Sequence, residues 1–281
     1  MERKKVTIAD VQAKAARGEK ITMLTATDFP LAQMVDRAGV DMILVGDSLG
    51  MTALGHTSTV PVTMDDMVHH TQAVVRGNTY AMVVGDMPFG SYHCGVEDAL
   101  RNAVRLMKDG GADAIKLEGG VAMAPVIRAI VDMGIPVCGH IGLTPQTTAM
   151  LGGMKVQGKD LTAARRLIAD AKAVEQAGAF AVVVEAVPDK LAALITEAVA
   201  IPTIGIGAGA NCAGQVLVTH DMVGMFDRFT PKFVRRYANV SQIIVEAMQT
   251  WRSEVASGAF PGPEHTFSIK EDVIRQLKEE K

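Results

Sequence analysis

Aromatic residues are scarce in this chain: Phe, Trp and Tyr together make up 4% of its 281 residues. Its core must therefore be mostly aliphatic, with 17 Met as flexible gap-fillers. Cysteine is also rare. Cys94, Cys138 and Cys212 are widely scattered and show no metal spacing, so a reduced, cytoplasmic setting is expected. Excess charge of one sign is missing too. A net charge of −3 gives no electrostatic case for nucleic acid or an anionic membrane surface. The segment Met1 to Val6 lacks an apolar h-region, so no signal peptide is expected. No apolar stretch approaches the roughly 18 residues that span a bilayer. No low-complexity linker divides the chain, so residues 1–281 are read as one domain.

What is present is an ordinary globular balance, 48% hydrophobic and 21% charged. The length fits one (β/α)8 barrel, typically about 250 residues, with short extensions. Strand-like runs fall near 21–26, 41–47, 80–86, 114–118, 136–140, 180–185, 202–206 and 215–219. They alternate with helix-like runs, which argues for a parallel sheet. Thr63 with Asp66 reads as a capping box opening a helix. Residues 7–18 form an amphipathic helix suited to plug the barrel bottom. The barrel core is expected over about 20–260. Residues 261–281 begin Pro-Gly-Pro and end in a charged helix outside the wall. The stretches 48–61 and 142–158 are long and Gly/Thr-rich, as substrate loops on a barrel's C-terminal face commonly are.

Four apolar runs each stop on an acid: Asp47, Asp86, Glu118 and Glu185. At the C-terminal ends of buried parallel strands, such acids meet at the barrel mouth. Asp47, Asp86 and Glu118 are hard oxygen ligands suited to Mg²⁺, although each one singly could equally cap a helix. Glu185, two repeats later, faces the others as a candidate general base; a fourth ligand, or a partner of Lys116 or Lys190, is the alternative. Lys116 shares a strand face with Glu118. It could bind a substrate carboxylate, form a Schiff base or neutralise the acids. His140, read as ending the fifth strand, could donate to substrate, act as a general acid, bind a metal or simply be a satisfied rim histidine. Ser48 could bind a carboxylate or cap a helix. His69 and His70 read as surface residues of a helix. The run Gly205-Ile206-Gly207-Ala208-Gly209 lacks the full dinucleotide pattern and reads as a close-packed turn beneath the substrate.

Taken together, seven segments are similar in order and content to the ketopantoate hydroxymethyltransferase family. They are Val45 to Met51, Pro61-Val62-Thr63, Asp86 to Phe89, Lys116 to Gly120, Cys138 to Gln146, Lys155 to Gly158 and Gly205 to Gly209. The resemblance runs from about Thr22 to Met225 and implies a barrel of the phosphoenolpyruvate mutase/isocitrate lyase type. It implies Mg²⁺ on Asp47, Asp86 and Glu118. It also implies 2-oxo acid contacts from Asp47, Ser48, Asp86 and Lys116, with Glu185 as proton acceptor and His140 beside the substrate. The co-substrate implied is 5,10-methylenetetrahydrofolate, and the assembly a homo-oligomer, commonly a decamer. One departure is Thr27, where many members carry Tyr. A C–C lyase or mutase of the same barrel type is the alternative enzyme; its usual catalytic Cys in a Lys-Lys-Cys-Gly setting is missing here. A barrel kept only as a scaffold would not need all these acids at strand ends.

Overall fold

The computed structural model describes residues 3–280. Eight parallel strands close a barrel in sequence order. They are β1 (Ile21–Thr25), β2 (Met42–Val45), β3 (Met82–Asp86), β4 (Ala114–Glu118), β5 (Val137–Gly142), β6 (Ala181–Glu185), β7 (Thr203–Ile206) and β8 (Gly214–Leu217). The helices are α1 (Ile8–Ala16), α2 (Phe29–Arg37), α3 (Leu49–Thr52), α4 (Met64–Gly77), α5 (Val96–Val104), α6 (Ala124–Asp132), α7 (Thr148–Leu151), α8 (Leu161–Gln176), α9 (Asp189–Ala198), α10 (Thr219–Met222), α11 (Val240–Ser257) and α12 (Glu271–Glu279).

Two apolar layers follow from strand alternation. Ile43, Val45, Val83, Ile115, Leu117, Val137, Val182 and Val184 point outward into the layer beneath the helices. Met42, Leu44, Met82, Val84, Ala114, Cys138, Ala181 and Val183 point inward and fill the barrel. Aliphatic and Met side chains fill this interior with Phe180 as its one ring. Helix α1 closes the bottom as the sequence suggests. Its buried Val11 joins the inner layer, with Val6, Ile8 and Ala15 packed alongside. Thr7 and Asp10 cap α1 reciprocally, and Thr63 with Asp66 do the same for α4.

The structure corrects two strand readings. β2 stops at Val45 rather than running to Asp47, because the chain turns through Gly46, Asp47 and Ser48 into α3. β5 continues to Gly142, so His140 lies within the strand rather than at its end. At the other end of the chain, the strands finish at Leu217, and α11 buries none of its residues.

Candidate active site

Inward alternation decides which polar groups reach the barrel top. On β4, Ala114 is inside, Ile115 outside, Lys116 inside, Leu117 outside and Glu118 inside. The same parity aims Asp86, His140 and Glu185 inward from β3, β5 and β6. Register then makes neighbours of them: Asp86 stands beside Lys116, and Glu118 beside His140. Asp47 breaks the parity. Met42 and Leu44 point inward, so a straight β2 would aim residue 47 at the helices. The turn after Val45 redirects it, and the Asp47 N–H donates to Asp86 Oδ2 at 3.1 Å.

A pocket of about 430 Å³ opens over these strand ends. Its lining includes Asp47, Ser48, Asp86, Lys116, Glu118, His140 and Glu185, so all seven residues picked from the sequence meet there. Asp47, Asp86, Lys116, Glu118 and His140 are each 5% exposed or less. Lys116 Nζ lies 2.8 Å from Asp86 Oδ1. That approach is an ion pair but not an aligned hydrogen bond, since Oδ1 has no hydrogen-bond partner. His140 Nδ1 is 3.5 Å from Glu118 Oε1, and its Nε2 is 3.2 Å from Glu185 Oε2, again off the hydrogen-bond line. Glu185 pairs with neither Lys116 nor Lys190 among the described residues; His140 is its neighbour.

Electrostatics sorts these groups. Burial raises the Asp47 carboxyl well above its usual range, and Asp86 and Glu118 add to the effect; Lys116 and the Gln146 amide only partly oppose it. For Lys116, burial pulls downward but is outweighed by Asp86, Glu118 and Asp47, so the amine is held above its ordinary value. Burial and Lys116 also depress His140. The carboxylates of Glu118 and Glu185 beside the ring overcome both and bring the imidazole to about 9. The floor therefore sets Lys116 and His140 among carboxylates, with Lys116 Nζ 3.4 Å from His140 Nδ1.

Sequence reading missed two residues that hold this arrangement. Gln146 donates from Nε2 to Asp47 Oδ2 and to the Met87 carbonyl, both at 2.9 Å, and from its backbone N–H to Glu118 Oε2 at 3.1 Å. Tyr92 donates to Gln146 Oε1 at 2.6 Å and accepts from the Glu118 N–H at 3.2 Å. Its phenol is held far above the usual range, first by burial and then by Glu118, so it stays a donor. No periodicity marks either residue, because each acts through a fold in the loop after its strand.

Besides His140, the backbone positions Glu185. Leu143 N–H donates to the Glu185 carbonyl at 2.8 Å. Gly142 permits that approach: its φ is +95°, and a Cβ there would meet the Glu185 oxygen at 2.2 Å. Ala186, next in the chain, takes a left-handed φ of 48°, a strained conformation of the kind held by surrounding structure at functional sites.

Other expectations resolve as follows. Ser48 begins α3 without a side-chain cap bond and lines the pocket. His69 is exposed, whereas His70 is half-buried with Nδ1 2.6 Å from the Thr27 carbonyl. Thr27 is buried but outside the pocket lining. Cys138 and Cys212 are buried and Cys94 is exposed; none lines the pocket. Burial pushes the Cys138 thiol up to about 12, which makes it a poor nucleophile.

No three His, Cys, Asp or Glu side chains among the described residues stand as a ready-made cation cage. Mg²⁺ does not need one, because water and substrate oxygens complete its octahedron around one or two carboxylates. The donor chemistry fits: hard oxygens, a buried Asp86 Oδ1 without a hydrogen bond, and an Asp47 whose ionisation its neighbours oppose.

The architecture matches solved barrels of low sequence identity. Phosphonopyruvate hydrolase, crystallised with oxalate and Mg++, superposes with a TM-score of 0.61 at 12% identity, covering 98% of this chain and 96% of that one. 2,3-Dimethylmalate lyase, a PEP mutase/isocitrate lyase superfamily member, gives 0.58 at 14% identity, covering 97% and 95%. The fold is thus a closed (β/α)8 barrel, shared with these proteins. The sequence profile of ketopantoate hydroxymethyltransferase matches residues 5–263. The 3-methyl-2-oxobutanoate hydroxymethyltransferase of Moorella thermoacetica is 58% identical over 266 residues, 95% of this chain and 99% of that protein. The chain belongs to the ketopantoate hydroxymethyltransferase family.

Proposed function

We propose that this single-domain enzyme transfers a hydroxymethyl group from 5,10-methylenetetrahydrofolate to 3-methyl-2-oxobutanoate. With one water consumed, the products are 2-dehydropantoate (ketopantoate) and tetrahydrofolate, the first step toward pantothenate and coenzyme A. The observation that carries this reading is the placement of Glu185 in one pocket with Asp47, Asp86, Glu118 and Lys116. That is a base opposite a polar seat for a 2-oxo acid.

Asp47, Asp86 and Glu118 would hold Mg²⁺, which when bound supplies Lewis acidity toward the keto and carboxylate oxygens of the substrate. Lys116 and Ser48 orient the substrate carboxylate, and Lys116 offsets charge that builds on the oxo acid. Glu185 takes the C3 proton, and the C–H electron pair passes into the enolate. His140, 3.2 Å away, steadies the carboxylate before the transfer and lies beside the substrate. Water hydrolyses the folate aminal: both C–N bonds of the methylene break, the two nitrogens keep protons as tetrahydrofolate, and the carbon is released in the pocket at the oxidation level of formaldehyde. The enolate carbon bonds to that carbonyl carbon, and its oxygen takes a proton to become the hydroxymethyl group. Alignment of enolate and donor supplies much of the rate.

The same reading makes the enzyme a cytoplasmic homo-oligomer, a decamer. Its support is the set of exposed apolar residues on α11, including Ile243, Met248 and Trp251, and free rather than paired cysteines. No helix among the described residues is long and apolar enough to cross a membrane.

The test is proton NMR of 3-methyl-2-oxobutanoate in D2O with protein and Mg²⁺. Washout of the C3 proton, followed by ketopantoate once the folate is added, is expected. Glu185→Gln should slow the washout about 10²- to 10⁴-fold while oxo-acid affinity stays within a few-fold. Equal loss of both would make Glu185 a ligand instead. No exchange and no product from folded, Mg²⁺-loaded protein would refute the transferase assignment.

A further inference from the structure

The pocket has a charged floor and a different mouth. Three of the chain's eight Phe fall within residues 226–233, and all three line this one pocket. In a chain so poor in rings, that concentration asks for a reason. Phe229 and Phe233 are 48% and 38% exposed, so their faces are not consumed by core packing. The rings of Phe226 and Phe229 meet edge to face at 5.8 Å. Phe233 lies on the backbone of Gly207, where a Cβ would meet its ring at 2.7 Å. Arg228 ties the segment to the carbonyls of Gly55 and His56 at 3.0 and 3.2 Å, and Arg236 braces it through Thr230 at 2.6 Å. This is a held platform.

Two lysines flank it. Lys155 and Lys232 line the same mouth. Among the described residues, the lysines that pair with carboxylates are Lys5, Lys14 and Lys116, which leaves these two without an anionic partner. The volume of about 430 Å³ is of the size that encloses a drug-sized ligand, roughly 300–1,000 Å³. A small branched 2-oxo acid on the floor leaves most of it open.

We infer that the mouth is the seat of the folate donor, with the flat pterin and aminobenzoyl rings against Phe226, Phe229 and Phe233 and the glutamate tail paired with Lys155 and Lys232. The inference rests on the transferase reading and adds the residues that hold the second substrate. Aromatic faces take a flat heterocycle by stacking, and unpaired cations at the rim take its carboxylates. The donor's methylene then faces the floor, on the side from which Glu185 opens C3.

Calorimetric titration of the full-length protein with tetrahydrofolate, and separately with tetrahydropteroate, which lacks the glutamate, tests this. Phe229→Ala should weaken both ligands about tenfold, in line with the stacking of a flat heterocycle on one ring. The double variant Lys155→Gln/Lys232→Gln should weaken tetrahydrofolate several-fold and leave tetrahydropteroate within twofold. In both variants the loss of tetrahydrofolate affinity should exceed any loss of C3 exchange by fivefold or more. Thermal melts confirm folding, and Phe233→Leu provides a second probe of the wall. Tetrahydrofolate affinities within twofold of wild type in all three variants would overturn the inference and assign the platform to packing against another protein segment. Wild-type protein that exchanges C3 but binds no tetrahydrofolate would also overturn it while leaving the enolising role of Glu185 standing. Absence of wild-type exchange counts against the transferase reading alone, because tetrahydrofolate binding is read independently.

Discussion

Two aspartates bracket β2, and they have opposite fates. Asp41 sits just before the strand at the barrel bottom; Asp47 sits just after it at the top. Burial raises the Asp41 carboxyl, yet Lys14 and Thr22 outweigh it and the net shift is downward. Lys14 reaches both its oxygens at 2.8 Å, and the Thr22 N–H and hydroxyl donate at 2.7 and 2.8 Å. Asp47 is buried far more completely than Asp41, and burial first, then Asp86 and Glu118, carry its shift upward. The bottom acid is satisfied and stabilises the fold. The top acid is buried beside other carboxylates that Lys116 and Gln146 only partly offset, an arrangement suited to receiving a cation. The same residue type, one strand length apart, does structural work in one place and functional work in the other, because its burial and its partners differ.

The sharpest way to break this contrast is Asp86→Ala. It should weaken Mg²⁺ and 3-methyl-2-oxobutanoate together and also strand Lys116, which is 3% exposed, without its partner. Breaking a buried pair costs about 3–5 kcal/mol, readable by denaturant unfolding; unchanged Mg²⁺ affinity by calorimetry would remove Asp86 from the ligand set. Next comes Gly142→Ala. The added methyl collides with the Glu185 carbonyl, so C3 exchange should fall about 10²-fold through misplacement of the base, while Mg²⁺ binding moves little. A normal exchange rate would show that the β5–β6 contact does not set Glu185.

Gln146→Leu removes the amide that joins Asp47 to the Met87 carbonyl and, through Tyr92, to Glu118. Second-layer partners of this kind are typically worth 10- to 100-fold in metal affinity or activity. Gln146→Glu should not rescue, since it adds a fifth carboxylate to Asp47, Asp86, Glu118 and Glu185; recovery with Glu would argue for simple space-filling.

The smallest effect has the clearest sign. A carboxylate with a depressed folded pKa contributes stability above its unfolded value and loses it as pH falls. One with a raised folded pKa contributes stability at low pH and loses it as pH rises through the folded value. In metal-free protein at pH 8, Asp41→Asn should therefore lower stability by about 1–3 kcal/mol, whereas Asp47→Asn should raise it. At pH 4 both differences should shrink. Like signs for the two variants at pH 8 would erase the distinction between the two ends of the barrel.

Much of this molecule is legible in the chain. Eight apolar runs spaced by amphipathic helices define the closed sheet, and period-two alternation places Lys116 and Glu118 on one face without any coordinates. Asp86, Glu118 and Glu185 stand out because an acid that ends a buried strand is costly unless it is used. His140 was harder to place, since Ile141 and Gly142 continue its strand. Gln146 and Tyr92 escaped notice because an amide and a phenol in a loop carry no pattern until the loop folds over its neighbours. The platform at Phe226, Phe229 and Phe233 escaped for the same reason.

By itself, the sequence determined the barrel, the inward face of each strand and the acids at its top, because alternation and burial are local and periodic. Tertiary structure alone decided that Asp47 turns inward against its strand's parity, that Gln146 and Tyr92 tie the carboxylates together, and that Asp41 and Asp47 titrate in opposite directions. Those outcomes depend on which groups the closed barrel brings within a few ångströms, and electrostatic and hydrogen-bond energies at that range are set by distance and burial rather than by order along the chain.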